Sequence, residues 1–284
     1  MVRLVPLCLL ASALTALASP VRPLAHDAVT VPQQRVVLRA KFEGRGIGPL
    51  RRDLTQRKVR FRVFEASPTA VTDDDGIAAA SVTPVRSGVF PFTAELLEAK
   101  GRPTAHGHLH VIDPRRPVAV VDIDGTLSAM PGWKVPLRGA RAETFADAPE
   151  LLRALAKTHA IVYLSARDDA FMAATRRFLA LHRFPSGPVL MNEWGIVEAD
   201  QRAQLAPGNH GKFKLAVLAR LRRLGLRLTL GIGDADTDAE AYAGARMQGW
   251  IHRPERAAGE LLGCQSFPSY AWLSAELRRR GVVR

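Results

Sequence analysis

Cysteine is nearly absent from this chain of 284 residues, which has two, Cys8 and Cys264. Cys8 falls in a segment expected to be removed. Cys264 then stands alone, an internal disulfide in the mature chain is excluded, and a packed core must supply the stability. Long apolar runs are equally scarce. The one candidate follows Arg3 over residues 4–17, with Ala16-Leu17-Ala18 before Ser19-Pro20. This charged, apolar, small-residue order is that of a secretory signal, and the run is short for a membrane span. Residues 1–18 are therefore expected to be a signal peptide. The protein is expected to be exported, periplasmic or secreted, with an uncleaved membrane anchor as the alternative. Leu7 occupies the place before Cys8 where a lipoprotein signal needs a small residue, which argues against lipidation. Acidic residues are also in deficit: 27 against 40 Lys and Arg give a formal net charge of +13. Such a surface attracts anions, which admits acidic lipid head groups, phosphorylated small molecules and nucleic acid.

Residues 19–34 contain proline and no period, and read as a linker. From residue 35 to 113 the period is two. Val36-Val37-Leu38-Arg39-Ala40-Lys41-Phe42 and Val59-Arg60-Phe61-Arg62-Val63-Phe64 alternate as half-buried strands, and Thr72-Asp73-Asp74-Asp75-Gly76 is a turn signal. Further short strands are expected over 77–82, 89–96 and 105–111, which together suggest an antiparallel β-sandwich. His106, His108 and His110 lie at period two on one of these strands. With no acidic or sulfur ligand beside them, a solvated strand face is the reading preferred over a transition-metal site.

The chemistry begins at Val118-Ala119-Val120-Val121, an apolar and mostly β-branched run that needs burial on both faces, as in a parallel sheet. It runs directly into Asp122-Ile123-Asp124-Gly125-Thr126. Alternate residues of an extended segment project to one side, so Asp122 and Asp124 can share a pocket. Two carboxylates that close repel, and a hard divalent cation with oxygen ligands, Mg²⁺, relieves them. A carboxylate there can attack phosphorus to give an aspartyl-phosphate, and a second acid can protonate the leaving oxygen.

These residues resemble the first motif of the haloacid dehalogenase superfamily of phosphohydrolases. Tyr163-Leu164-Ser165-Ala166-Arg167, Gly211-Lys212-Phe213-Lys214 and Gly231-Ile232-Gly233-Asp234-Ala235-Asp236-Thr237-Asp238 resemble its second, third and fourth motifs, in the family's order. With Gly187-Pro188-Val189-Leu190, their wording is similar to the catalytic domain of lipin-type (LNS-type) phosphatidate phosphatases, a domain that recurs in some phosphatidylinositol-transfer proteins. The resemblance covers about residues 117–253. The preceding segment loosely resembles bacterial immunoglobulin-like domains.

The resemblance implies that residues 114–284 form a doubly wound parallel α/β domain, Rossmann-like with a minimal cap, after the sandwich. It also implies a set of roles: Asp122 as nucleophile, Asp124 as general acid and base, Ser165 and Lys214 on the phosphoryl oxygens. Lys212 is the local competitor of Lys214, and the Phe213-Lys214 pair favours the latter. Gly125, Thr126, Ala166 and Arg167 would contact substrate, and Asp122, the Asp124 carbonyl, Asp234 and Asp238 would hold Mg²⁺. Where lipin relatives have Asn, Asp234 departs toward the general superfamily pattern. Asp147, and Asp168 or Asp169, are expected as helix N-caps, and Gly249 to His252 as an edge strand. The implied substrate is phosphatidate, met at an acidic membrane surface. The alternatives are soluble phosphomonoesters such as nucleotides or sugar phosphates, and a non-catalytic phosphatidate-binding module. Nucleic acid is disfavoured, and nothing in the sequence addresses the oligomeric state.

Overall fold

The computed structural model describes residues 21–47, 50–129, 142–192 and 210–283. The expected signal peptide, most of the span from Ser128 to Glu143 that is too short for a separate cap domain, and most of the aperiodic span from Asn192 to Asn209 expected as a long loop lie outside those residues. The chain divides into two compact units. One holds the described residues up to His26 with Val37–Val82 and Phe90–His108; the other holds Asp27–Val36, Thr83–Val89 and Leu109–Arg284.

The first strands are β1 (Arg22–Ala25), β2 (Ala28–Thr30), β3 (Val36–Ile47), β4 (Leu50–Asp53), β5 (Lys58–Arg62), β6 (Thr69–Val71), β7 (Ile77–Val82), β8 (Gly88–Leu96) and β9 (Thr104–Val111). One sheet has the order β1-β3-β4, with β7 also on β3, and the other the order β2-β9-β8-β5-β6. Period-two burial builds them: Leu38, Ala40 and Phe42 of β3 and Val59 and Phe61 of β5 are fully buried, and Phe61 stacks on Phe92 of β8. The Asp73 carboxylate accepts from the backbone N–H of Ile77 at 2.8 Å and of Asp75 at 3.1 Å, which closes the acidic turn before β7.

Three expectations need correction here. Residues 22–25 and 28–30 are strands, not linker, because runs of three or four residues are too short to display a period. The β2–β9 pair is parallel within otherwise antiparallel pairings, and Asp27–Val36 belongs to the second unit. The three histidines do not share an environment: His106 and His108 are exposed, whereas His110, at the end of β9, is buried.

In the second unit come β10 (Pro117–Val121), α1 (Ala148–Leu155), β11 (Ala160–Asp168), α2 (Met172–Leu181), β12 (Val189–Asn192), α3 (His210–Arg223), β13 (Arg227–Gly233), α4 (Asp236–Gly244), β14 (Gln248–His252), β15 (Gly259–Leu261), β16 (Cys264–Phe267) and α5 (Tyr270–Arg279). The sheet order is β12-β11-β10-β13-β14-β16-β15, parallel throughout except for the terminal β15–β16 pair. Val118 and Val120 of β10 join Val162, Leu164, Leu218, Leu221 and Tyr242 in one core under α3 and α4. Ala119 and Val121 are buried too and point to the opposite face. On that side α1 meets α5, each burying leucines: Leu151, Leu152 and Leu155, and Leu273 and Leu277. This is the doubly wound α/β fold.

β14 is not an edge strand, since β16 and β15 continue the sheet beyond it. Asp147 occupies the N-cap position of α1 but makes no side-chain cap, because its backbone is left-handed at φ 62°. Asp168, not Asp169, caps, accepting from Ala170 N at 2.7 Å ahead of the short 3₁₀ turn Asp169–Phe171 that leads into α2. Ser269 caps α5 by accepting from Trp272 N at 3.2 Å.

Candidate active site

Successive strands run outward from β10 in both directions, to β11 and β12 on one side and to β13 and β14 on the other. The chain therefore reverses its order at the β10–β13 junction, and an open parallel sheet leaves a crevice at the carboxyl ends of the strands there. Asp122 and Asp124 follow β10, Asp234 follows β13, and Ser165 lies in the outer part of β11. The backbone N–H of Asp122 donates to Ile232 O at 2.9 Å, so the sheet ladder continues up to the acid itself.

Lys214, on the second turn of α3, donates to Asp122 Oδ1 at 2.6 Å and to Asp238 Oδ1 at 2.5 Å. All three side chains are buried, whereas Lys212 points to solvent. Asp238 is positioned by the first turn of α4, where its Oδ2 accepts from the backbone N–H of Asp234 and of Ala235, at 3.3 and 3.1 Å. That is the return half of a capping box, which satisfies N–H groups a helix start leaves orphaned. Gly233 permits it, because a Cβ there would stand 2.5 Å from Asp238 Cβ.

Thr126 Oγ1 lies 3.1 Å from both Asp122 Oδ2 and Asp234 Oδ1. A hydroxyl has one proton to give, so one carboxylate is left short of a donor. The two approach this closely because residue 125 is glycine: its φ is +74°, and a Cβ would meet Asp234 Oδ2 at 2.1 Å. From the far side the Tyr270 hydroxyl, on α5, donates to Thr126 O at 2.6 Å and fixes the loop.

Burial pushes Asp122 well above the ordinary carboxylate range; Lys214 pulls it back, and Asp238, Asp234 and Asp124 push with the burial. Burial alone would lower Lys214, but Asp122 and Asp238 outweigh it and raise the ammonium above its usual value. These tendencies oppose each other across one short contact, and the two-carboxylate clasp on Nζ decides for a charged lysine. At Asp234, burial reinforced by Asp238 lifts the carboxyl to about 6, with Lys214 and the Thr126 hydroxyl acting in the opposite sense.

The crowding has a chemical outlet. Oxygens of Asp122, Asp234 and Asp238 all lie within 4.8 Å of one another, a donor set of hard anionic oxygens suited to a cation such as Mg²⁺. Lys214 occupies one oxygen of Asp122 and one of Asp238, and the Thr126 hydroxyl lies between the other Asp122 oxygen and Asp234.

Asp124 faces the other side of the crevice. Its Oδ2 accepts from Ser165 Oγ at 3.1 Å and from Arg167 Nε at 3.2 Å, and Arg167 Nη2 closes a second contact on Oδ1. Arg167 also donates to Thr175 Oγ1 at 3.0 Å, on α2, and its side chain is 7% exposed. Of the residues expected to contact substrate, Arg167 is turned onto Asp124, Thr126 lies between the carboxylates, and Ala166 packs against the core cluster. Thr175 and Tyr270 were not anticipated. Neither carries a motif, and each reaches the site from a helix whose apolar pattern accounts for it as core.

A cavity of about 440 Å³ lies at the opposite, amino-terminal ends of β11 and β12, lined in part by His159, Ile161 and Pro188. None of the carboxylates above lines it, so the chemistry and this cavity are at different ends of the sheet.

Residues 119–249 match the family described as PITM 1-3, LNS2 domain. The match lies within the second unit and covers less than half of the chain. The four motif segments are the elements that meet at the crevice. No curated protein matches the chain. Among solved structures, a HAD family hydrolase from Deinococcus radiodurans R1 with bound phosphate and sodium is 13% identical over 60% of this chain and 99% of its own, with a TM-score of 0.38. A chain of the Pnkp1/Rnl/Hen1 complex is 18% identical at a TM-score of 0.31, over 45% of this chain and 42% of that one. The strands before the matched residues are similar to the D00-D0 domain of intimin, 12% identical over 34% of this chain and 47% of that one, with a TM-score of 0.26.

Proposed function

We propose that this chain hydrolyses a phosphate monoester through an aspartyl-phosphate, with phosphatidate as substrate and diacylglycerol and phosphate as products. The observation that carries the reading is the setting of Asp122. It is buried at the end of the switch-point strand, with one oxygen on Lys214, the other shared with Thr126 and Asp234, and Asp124 two residues further on. In this reading Asp122 attacks phosphorus. Asp124 gives a proton to the leaving oxygen, then takes one from the water that opens the acyl phosphate. Lys214 and Ser165 hold the equatorial phosphoryl oxygens where negative charge spreads. Asp122, Asp234 and the Asp124 carbonyl are the groups to hold Mg²⁺, which when bound neutralises phosphoryl charge.

The LNS2 likeness supports a lipid phosphate over other esters, and the formal charge of +13 supports work at an acidic membrane surface. Export is part of the same proposal, resting on the sequence of residues 1–18. No described helix is long and apolar enough to cross a membrane.

The test is phosphate release from phosphatidate in mixed micelles with Mg²⁺, comparing the protein with Asp122→Asn. Release that falls by at least about 10³-fold in the variant is the expected result. Turnover of soluble esters with none of phosphatidate would move the substrate assignment to small metabolites. Phosphatidate binding without release from any ester would replace the enzyme with a binding module.

A further inference from the structure

Asp27 lies far in sequence from every motif, in the segment expected to be a linker. Its side chain is 3% exposed, and both its oxygens are engaged within the second unit. Oδ1 accepts from Arg176 Nη2 at 2.7 Å, on α2, and Oδ2 accepts from the backbone N–H of Val189 at 3.0 Å, at the start of β12. Among the described residues β12 ends the sheet, and the Val189 N–H faces away from β11, so the carboxylate both fills that place and ties α2 to the strand. A hydrogen bond between charged groups, as here with Arg176, is stronger than a neutral one.

The next residue along α2 is Thr175, whose hydroxyl accepts from Arg167, and Arg167 grips Asp124 through two N–H groups. We propose that Asp27 is a positioning residue for Asp124, acting through Arg176, helix α2, Thr175 and Arg167. The proposal rests on the phosphatase reading for what Asp124 does, and on contacts alone for what holds it. Asp27 never meets substrate. It sets where the proton donor stands.

A positioning role and a purely stabilising one differ in which substrates suffer. p-Nitrophenolate leaves from phosphorus with little help from an acid, whereas the alkoxide of glycerol phosphate needs a proton as the bond breaks. Asp27→Asn keeps an acceptor for Val189 and removes the charge that holds Arg176. Its kcat for glycerol phosphate is expected to fall about tenfold further than its kcat for p-nitrophenyl phosphate, with KM for both within about twofold. Arg176→Lys, which keeps charge but loses the guanidinium fork, should show the same selectivity at smaller size. Equal losses on the two esters, or no loss, overturn the proposal. Amide exchange supplies a readout that needs no activity. Segment 166–176 should exchange about tenfold faster in Asp27→Asn while β10 and β13 keep their protection. If the unaltered protein releases phosphate from neither ester nor from phosphatidate, the phosphatase reading fails, while the exchange measurement still decides the Asp27 linkage: unchanged protection in 166–176 overturns it.

Discussion

Two regions of the molecule place charge in opposite ways. Around β5 and β8, side chains of opposite sign meet near the surface and at long range: Arg57 with Glu98 at 3.7 Å, Arg62 with Glu95 at 3.8 Å, Arg102 with Glu95 at 3.4 Å. At the carboxyl ends of the parallel sheet, Lys214, Asp122 and Asp238 are buried and meet at 2.6 and 2.5 Å. The surface pairs sit in high dielectric and are screened by salt, so each is worth little. The buried cluster has given up hydration for contacts that must all be present. A fold selected for stability alone would fill that crevice with apolar side chains. Its keeping four acids and a lysine is what marks the region as a place for chemistry.

The largest effect expected from breaking this contrast comes from Lys214→Met. It leaves two buried carboxylates facing each other without their shared cation, and should lower unfolding free energy at neutral pH by about 3–5 kcal/mol. Urea denaturation in the absence of divalent ions measures it. A loss below about 1 kcal/mol would mean that the carboxylates relieve one another by taking up a proton, and that the clasp is not the main support of the cluster.

The next effect is a pH dependence. Asp234 is raised to about 6 in the fold, above its ordinary 3.8. Between those values the folded chain holds a proton that the unfolded chain has released. Stability from this group is therefore fully present below about pH 4 and is lost as pH rises through 6, by about 3 kcal/mol in the metal-free protein. Saturating Mg²⁺ should flatten the profile between about pH 4 and 6, because the cation replaces the proton as partner. Asp234→Asn should remove the slope in both conditions. A slope that survives in Asp234→Asn belongs to another acid.

The same contrast explains what could be read in advance. β10 was legible because four apolar residues followed by two acids fit few arrangements, and the later motifs sit at strand ends or helix starts in the same way. Lys214 could be preferred to Lys212 from the Phe213-Lys214 wording, and the fold places Lys214 inside and Lys212 outside. What escaped was carried by side chains whose partners are distant in sequence. Asp27 reads as a polar residue among short apolar runs, and its partners are 149 and 162 residues away. Arg167 stands at the end of its motif, and its contact with Asp124 comes from packing that the motif does not display. β15 and β16, at three and four residues, gave no period, and the left-handed backbone of Asp147 removed a cap that its residue type suggested.

The smallest expected effect sits in the first unit and sharpens the comparison from the other side. Arg57 and Glu98 are 53% and 40% exposed, and their 3.7 Å separation is beyond a good hydrogen bond. Arg57→Ala and Glu98→Ala should each change stability by no more than about 0.5 kcal/mol, and a double-mutant cycle should return a coupling below that, vanishing in about 0.5 M salt. Two flexible side chains held at this distance gain little Coulomb energy and lose rotamer freedom, so the terms nearly cancel. A coupling above about 1 kcal/mol that persists in high salt would place the pair in a lower-dielectric setting than its exposure implies. The division between a region that wears its charge and one that buries it would then have to be drawn elsewhere.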